Sequence, residues 1–243
     1  MRLRVDFAVS VPKDPAVHEL NEDFWAADDK VERVAVSDGA SESFDSRKWA
    51  QLLVDKYVAD PAITPDWVSS IVAQYNAGVD YEQLSWSKQA AYDRGSFATL
   101  LAVEFAFNRT EVKVLAIGDS VAIHASNGVL FASFPYTTPE EFNSRPNLLS
   151  TLTAANTFVA APGFFNKNSS KTWTVKSGDY ILLMTDAVAQ WVLREQMESP
   201  SALLVMLEVT QAREFEELVL RMRQEHRMRL DDSTLVRLVV EEE

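Results

Sequence analysis

Short apolar segments that do not alternate regularly with helices constrain the fold of this chain more than any other feature. Five of them are mostly β-branched or apolar, and we predict a strand in each: Val31–Ser37, Phe97–Phe107, Val112–Ile117, Tyr180–Thr185 and Leu235–Val240. Several are almost continuously apolar, which indicates that both faces of their sheet are covered, either by a second sheet or by helices.

Two segments show helical periodicity, and a third carries a helix-start signal. Apolar residues fall on one face of Ser46–Ala59 and of Gln211–Arg229. Ser199 as an N-cap, followed by Pro200 in the first turn, predicts a further helix. Because strands and helices do not alternate along the chain, we expect an α+β fold with helices layered on mainly antiparallel sheets, and not a doubly wound parallel sheet.

Length and composition predict a single domain over residues 1–243. The chain has 243 residues, of which 47% are hydrophobic and 24% charged, as is typical of a globular protein with a sizeable core. No internal repeat and no Gly-, Ser- or Pro-rich linker divides it. The least regular stretch lies at about 134–171, and we expect a loop-rich, flap-like excursion there with one short helix.

The charge balance excludes several classes of partner. The chain has 23 Lys and Arg against 36 Asp and Glu, a net charge of −13, which is the wrong sign for binding nucleic-acid phosphates or anionic lipid. We therefore expect neither nucleic acid nor a membrane as a partner. The sequence has no signal-peptide pattern, no long apolar stretch and no cysteine, so we expect a cytoplasmic protein without a thiolate metal site.

Four of the predicted strands have aspartate at one end. These residues are Asp38, Asp119, Asp186 and the pair Asp231 and Asp232. An apolar strand places its terminal side chain at the rim of the core, where a carboxylate is held firmly and can still reach a ligand. Taken singly, each aspartate is also explained by ordinary turn chemistry.

Clustering of these carboxylates would need a counter-ion. Two like charges at ~4 Å repel by about 1 kcal/mol in water and by several times more near a protein surface. A divalent cation reverses the sign, and oxygen donors with few imidazoles select Mg²⁺ or Mn²⁺ over zinc. Such ions activate water, so the chemistry we expect is hydrolysis at phosphorus.

Six short strings occur in a fixed order along nearly the whole chain. They are Asn21–Asp23 (NED), Val36–Ala40 (VSDGA), Gly95–Leu100 (GSFATL), Gly118–Ser120 (GDS), Leu183–Val188 (LMTDAV) and Asp231–Thr234 (DDST). Each string is weak alone, but in this order and spacing they resemble the metal-dependent protein serine/threonine phosphatases of type 2C, the PPM family, in its bacterial form.

The resemblance implies a four-layer α-β-β-α sandwich, in which helices flank two antiparallel sheets and a two-metal centre lies at one end. The ions would be Mn²⁺ or Mg²⁺, with a third, weaker ion. The implied roles are as follows: Asp38 bridges both ions, Gly39 offers its carbonyl, Asp186 and Asp231 complete the centre, Glu22 and Asp23 hold water around the ions, and Asp119 binds the third ion. The implied activity is hydrolysis of phosphoserine or phosphothreonine in a protein substrate, by a water or hydroxide shared by the two ions.

The sequence departs from the family pattern at several positions. His18 stands where members usually have an arginine that grips the substrate phosphate, and Ala40 stands where many have a histidine. An imidazole donates fewer hydrogen bonds than a guanidinium, so phosphate binding should be weaker or more dependent on pH. We hypothesise that His18 still contacts phosphate, the alternative being an exposed histidine without function. Milder departures are Ala187 for Gly and Asp232 for Asn.

Other functions stay open at this point. One is a phosphatase-like module that binds phosphoproteins without turnover, although the presence of Asp38, Gly39, Asp186 and Asp231 favours catalysis. Another is a Mg²⁺ phosphoesterase acting on small phosphorylated metabolites, which nothing in the sequence separates from a protein phosphatase. Outside the six strings, we expect structural or surface roles for His124 and His226, and core packing for Trp49 and Trp191.

Overall fold

A computed structural model describes residues 1–28, 30, 32–41, 43–165 and 169–242 of the chain, and its helices and strands lie within those ranges. The strands are β1 (Arg2–Val11), β2 (Phe24–Asp28), β3 (Arg33–Ser37), β4 (Phe97–Ala98), β5 (Leu100–Phe105), β6 (Glu111–Ile117), β7 (Val121–Ser126), β8 (Val129–Phe134), β9 (Leu149–Ser150), β10 (Ser170–Thr174), β11 (Tyr180–Met184) and β12 (Ser233–Glu241). The α-helices are α1 (Ser46–Ala59), α2 (Pro65–Ala77), α3 (Trp86–Asp93), α4 (Asp186–Gln196), α5 (Ser201–Glu208) and α6 (Ala212–Gln224). Short 3₁₀ helices lie at His18–Leu20, Tyr81–Gln83, Pro139–Asn143 and Thr153–Ala160.

Two five-stranded antiparallel sheets form the centre of the molecule. The first has the strand order β1-β12-β11-β7-β8, and the second has the order β10-β6-β5-β3-β2. The short strands β4 and β9 form a separate pair. The turn between β6 and β7 is one of the places where the chain passes from the second sheet to the first, so this turn lies at an end shared by both sheets.

Three apolar clusters define the layers. One lies between the first sheet and helices α4, α5 and α6, and includes Phe215 and Trp191. A second lies between the second sheet and helices α1 and α2, and includes Trp49 and Ile71. The third joins the two sheets and includes Leu101 and Leu183. This arrangement confirms the predicted four-layer sandwich of two antiparallel sheets flanked by helices.

Continuous apolarity correctly indicated a strand covered on both faces. In β12, Val236, Leu238 and Val240 enter the cluster between the sheets, and Leu235 enters the cluster beneath the helices. The one charged side chain within this buried run is Arg237. Its guanidinium donates to Asp6 at 2.7 Å and to the carbonyls of Met206, Leu207 and Val209 at the end of α5, so the buried charge is fully engaged.

Several sequence predictions differ from the structure in their bounds. Helix α1 has the predicted limits, but the predicted helix over Gln211–Arg229 ends at Gln224. Pro200, and not Ser199, occupies the N-cap position of α5. The predicted strand Phe97–Phe107 is divided into β4 and β5. Val31, the first residue of another predicted strand, lies outside the described residues.

The stretch expected to be a loop-rich excursion, about 134–171, contains two of the 3₁₀ helices and strand β9. It is attached to the helical layer, because the indole Nε1 of Trp49 donates to the carbonyl of Leu149 at 2.9 Å. Asn166 to Asn168, part of a polar run in this stretch, lie outside the described residues. In the described part of the chain, no helix has both the length and the apolar character that crossing a membrane requires.

Two arginines of the edge strand β1, Arg2 and Arg4, bind the same carboxylate of β12, and we call this arrangement the arginine clamp. Glu241 accepts from Arg4 at 2.7 Å and from Arg2 at 2.8 Å, and these bonds lower the pKa of Glu241 to about 2. Because the pKa of this carboxyl is lower in the folded protein than its usual value, the ionised group stabilises the folded state at pH values above that usual value. This stabilisation is lost as the pH falls toward 2.

We therefore expect the Glu241 carboxyl to titrate near pH 2. A ¹³C NMR titration of the side-chain carboxyls measures this midpoint directly. The double substitution Arg2→Gln with Arg4→Gln should return it toward 4.5. A midpoint already near 4.5 in the unaltered protein would show that the clamp is absent in solution.

Candidate metal centre

Acidic residues from both sheets meet at one end of the sandwich. Asp38 follows β3 of the second sheet, whereas Asp186 follows β11 and Asp231 precedes β12 of the first sheet. Asp119 lies in the turn that joins the sheets, between β6 and β7. The predicted strand-end aspartates are thus positioned by four different strand ends, as expected from the apolar pattern of those strands.

Asp23 is fixed at the centre of this end by two threonine hydroxyls. Its Oδ2 accepts from Thr234 Oγ1 at 2.7 Å and from Thr185 Oγ1 at 3.0 Å. Thr185 Oγ1 in turn accepts from the backbone N–H of Thr234 at 2.9 Å. Three of the six sequence strings, NED, LMTDAV and DDST, are joined by these bonds.

Asp38 is held by Thr99, which belongs to the string GSFATL. The backbone N–H of Asp38 donates to Thr99 Oγ1 at 2.9 Å, and the backbone N–H of Thr99 donates to the carbonyl of Asp38 at 2.9 Å. Thr99 Oγ1 also bonds Ser120 Oγ at 2.8 Å, which ties the turn carrying Asp119 to the same strand end. At Gly118 the backbone has a φ of 107°, and a Cβ there would lie 2.5 Å from Thr99 Cγ2, so glycine is required.

Gly39 permits a close approach of three chain segments. A Cβ at this position would lie 2.9 Å from the carbonyl oxygen of Glu22 and 2.9 Å from backbone atoms of Ser46, the first residue of α1. Backbone atoms cannot move aside as a flexible side chain can. The Asp-Gly step after β3 is therefore set by packing as well as by turn chemistry.

The acidic cluster consists of Asp23, Asp38, Asp119, Asp186 and Asp231. Burial raises the pKa values of the first four of these carboxyls, and repulsion between neighbouring carboxylates adds to the effect. Burial is the largest cause for Asp23 and Asp38, whose pKa values lie well above the usual range, and the neighbouring carboxylates raise the pKa of Asp38 further. Burial, followed by Asp119 and Asp231, raises the pKa of Asp186 to about 6. Asp186 begins α4, and a helix N-terminus favours a carboxylate by only about 0.3–1 kcal/mol. Desolvation and repulsion therefore outweigh the helix dipole here.

Two buried oxygens of the cluster have no hydrogen-bond partner among the described residues. They are Asp23 Oδ1 and Asp186 Oδ1. Buried polar atoms are nearly always paired in folded proteins, so unpaired carboxylate oxygens among like charges fit a site that takes a cation. No group of three or more His, Cys, Asp or Glu side chains in the described residues is arranged as a ready-made metal site, so the ion positions stay a prediction.

Two cations at the cluster were not indicated by the sequence. Arg229 Nη1 donates to Asp186 Oδ2 at 3.2 Å, and Lys13 Nζ lies 3.8 Å from Asp231 Oδ1. Arg229 and Asp186 are 43 residues apart, so no local pattern could have paired them. The small hydroxyl residues within the strings were the available signal for the hydrogen-bonded frame. Thr185 and Thr234 lie next to or near a motif aspartate in the sequence, and Thr99 lies in the string GSFATL.

Asp232 and the buried Arg223 support the frame. Asp232 accepts hydrogen bonds from the backbone N–H of Lys13 at 2.5 Å and from the backbone N–H of Glu22 at 2.7 Å. Arg223 donates to the carbonyl of Pro12 at 2.9 Å, to Ser233 Oγ at 3.0 Å and to the carbonyl of Asp231. These bonds fix the end of β1 against the start of β12.

The histidines differ in their surroundings. His18 is exposed in a short 3₁₀ helix, and its side chain makes no hydrogen bond to a described residue, so its contact with phosphate stays a prediction. His124 is buried in β7, where its Nε2 lies 2.9 Å from Asp179 Oδ2, in agreement with the structural role expected. His226 lies just after α6 with a φ of 56°, and not within the helix as expected.

Trp49 and Trp191 are core residues, as predicted.

Solved structures with the same architecture cover essentially the whole chain. The catalytic domain of the serine/threonine phosphatase PstP in complex with two manganese ions aligns with a TM-score of 0.61 and 18% identity, over 99% of each chain. The Mycobacterium tuberculosis phosphatase PstP/Ppp aligns at 0.60 and 20% identity over 100% of each chain. Stp1 from Staphylococcus aureus aligns at 0.60 and 13% identity, over 100% of this chain and 98% of that one.

Comparison by sequence finds no such similarity. No protein-family model matches the chain, and no curated protein matches it. At identities of 13–20% the structural likeness establishes the fold and leaves the activity to be argued from the site. This chain has the fold of bacterial serine/threonine phosphatase catalytic domains.

Proposed function

We propose that this chain is a Mn²⁺- or Mg²⁺-dependent phosphatase that hydrolyses phosphoserine and phosphothreonine in proteins. One observation carries the proposal: Asp38, Asp119, Asp186 and Asp231 come from both sheets to one end of the sandwich. Burial, together with their proximity, raises the pKa values of Asp38 and Asp186, and one buried oxygen of Asp186 and one of Asp23 have no hydrogen-bond partner among the described residues. This is the end at which a phosphatase of this fold would hold its ions. A divalent pair in such a site supplies Lewis acidity toward the phosphoryl oxygens and lowers the pKa of water.

The residues that would hold the ions fall into three groups. Asp38, Asp186 and Asp231 offer side-chain oxygens, and Gly39 offers a backbone carbonyl beside Asp38. Glu22 and Asp23 would hold water around the ions, with Asp23 kept in place by Thr185 and Thr234. Asp119, in the turn between the sheets, would bind a third ion.

The cluster must also admit a phosphate dianion. Arg229 and Lys13 already offset part of the negative charge through Asp186 and Asp231, and both side chains are partly exposed. Each has donors left over for an anion, because a guanidinium has five N–H groups and an ammonium has three. We propose that these cations contribute to phosphate attraction, and so offset in part the absence of the arginine that the resemblance implies where this chain has His18.

Hydrolysis of two substrates tests the proposal. We expect Mn²⁺-dependent phosphate release from p-nitrophenyl phosphate and from a phosphothreonine peptide, with no release in EDTA. Small phosphorylated metabolites, assayed in parallel, test whether a protein substrate is preferred. Absence of metal-dependent release from all of these substrates would contradict the proposed activity.

Binding without turnover is the second candidate. The observation that favours it is the exposed His18, whose side chain makes no hydrogen bond to a described residue. On this alternative, a phosphothreonine peptide would bind in the presence of Mn²⁺ and remain intact. The hydrolysis assay combined with a binding measurement separates the two candidates.

A further inference from the structure

A cavity of about 610 Å³ lies beside the acidic cluster. It begins at Ala40, two residues after Asp38, and its floor includes Phe97. The backbone N–H of Ala40 donates to the carbonyl of Phe97 at 2.9 Å, which fixes this edge of the cavity relative to the cluster. The opposite wall comes from the stretch before β9 and from the following 3₁₀ helix, including Pro146 and Phe158. A cavity of this volume accommodates several atoms of a bound ligand.

Two arginines line this cavity, Arg94 and Arg145. Most arginines in the described chain pair with a carboxylate, as expected when acidic residues outnumber basic ones. Arg94 instead donates to the carbonyl of Ala90 at 3.0 Å, and neither Arg94 nor Arg145 is within ion-pair distance of a described carboxylate. Among the described residues, no carboxylate neutralises the charge of either guanidinium.

We propose that this cavity binds an acidic side chain, glutamate or aspartate, of a phosphorylated peptide whose phosphate lies at the acidic cluster. The inference rests on the proposed function and adds a sequence preference to it. Guanidinium groups bind carboxylates through paired, charge-assisted hydrogen bonds, which is the interaction that Arg94 and Arg145 lack within the described chain. The apolar side chains of Phe97 and Phe158 in the lining suit the methylene part of such a side chain.

The short distance from Asp38 to the cavity limits how many residues can separate the acidic residue of the peptide from its phosphorylated residue. Ala40 is two residues beyond Asp38, and an extended chain spans at most about 3.3–3.6 Å per residue. A peptide with its phosphate at Asp38 would therefore reach the cavity about two to four residues away from the phosphorylated residue. The acidic cluster repels an acidic peptide elsewhere, so the preference should be confined to this spacing and should weaken as salt is raised.

The test compares peptides that differ only in charge. Each carries a non-hydrolysable phosphonate analogue of phosphothreonine, with either glutamates or glutamines two to four residues away, on the N-terminal side in one pair and on the C-terminal side in another. Fluorescence anisotropy with Mn²⁺ present gives the dissociation constants. We expect the glutamate peptide of one pair to bind about tenfold more tightly than its glutamine counterpart, which corresponds to a difference of about 1.4 kcal/mol in binding free energy.

Matched variants assign the preference to the cavity. The double substitution Arg94→Gln with Arg145→Gln should bring the affinity ratio to within about twofold of one. Arg213→Gln with Arg221→Gln removes the same charge from the exposed face of α6 and should keep the ratio of the unaltered protein. Single substitutions at Arg94 and Arg145 provide the same comparison if the double variant is poorly folded by circular dichroism.

The outcomes separate this inference from the proposed function. Equal affinities within both peptide pairs, or a preference that survives the Arg94 and Arg145 substitutions, would overturn it. A preference lost only in those variants supports it, even if the protein hydrolyses neither p-nitrophenyl phosphate nor a phosphothreonine peptide. Hydrolysis without any preference would leave the proposed activity standing and remove this inference alone.

Discussion

The Asp38→Asn substitution is expected to lower Mn²⁺-dependent phosphate release by about 10²- to 10³-fold, the range typical of losing one electrostatic contact in an active site. The substituted side chain keeps its shape and loses the charge that the proposed ions require. The same change removes a carboxylate whose pKa is raised by burial and by Asp23, Asp186, Asp119 and Asp231. We therefore expect the metal-free variant to be at least as stable as the metal-free parent.

Thermal unfolding provides the readout that does not depend on activity. Mn²⁺ should raise the melting temperature of the parent, because a ligand at 100 times its dissociation constant stabilises the folded state by about 2.7 kcal/mol. The Asp38→Asn variant should show little of this increase. Asp80→Asn is the matched control and should respond to Mn²⁺ like the parent, because Asp80 is exposed, directly precedes the 3₁₀ helix Tyr81–Gln83 and makes no capping hydrogen bond with its side chain. An equal Mn²⁺ response in the Asp38 variant would exclude Asp38 from the metal centre.

The Trp49→Ala substitution is expected to destabilise the protein by about 3–5 kcal/mol. Trp49 is completely buried between α1 and the second sheet, its ring packs edge-to-face against Tyr75 at 5.8 Å, and its indole N–H donates to Leu149. The substitution leaves a cavity and also an unpaired buried carbonyl. Urea unfolding, with the slope compared between variants, measures the loss.

Trp86 provides a control of the same residue type. It begins α3 and is 82% exposed, so Trp86→Ala should change the free energy of unfolding by no more than about 0.5 kcal/mol. Similar losses in the two variants would show that Trp49 does not hold α1 against the second sheet.

Local patterns predicted those parts of the fold in which one chain segment determines its own structure. Helix α1 was predicted with correct limits because its apolar face repeats with helical period. Strand β1 was missed, since Arg2, Arg4 and Asp6 interrupt its apolar pattern. The structure shows that these charges pair across the sheet with Glu241 and Arg237, more than 230 residues away in sequence. Such partners cannot be identified from local composition.

The residues of the candidate site were also predicted only in part from local patterns. Asp38, Asp119, Asp186 and Asp231 were predicted because each ends or begins an apolar strand. Glu22 and Asp23 were indicated only by the order of the six strings. Arg229, Lys13 and Arg223 were not predicted, because each acts on a group brought close only by the packing of the two sheets. The roles of Asp38, Gly39, Asp186, Asp231, Asp119, Glu22, Asp23 and His18 toward metal or phosphate stay predictions.

The turn between β6 and β7 has a mechanical consequence for the whole sandwich. It is one of the connections that carry the chain from one sheet to the other beside the acidic cluster, where Asp38 follows β3 of the second sheet and Asp186 follows β11 of the first. A cation shared by these two residues would cross-link the layers at one end, whereas apolar packing dominates the contact between the sheets elsewhere. Amide hydrogen exchange should then slow together in β3 and β11 when the cation is added, and the two layers would open as one cooperative unit.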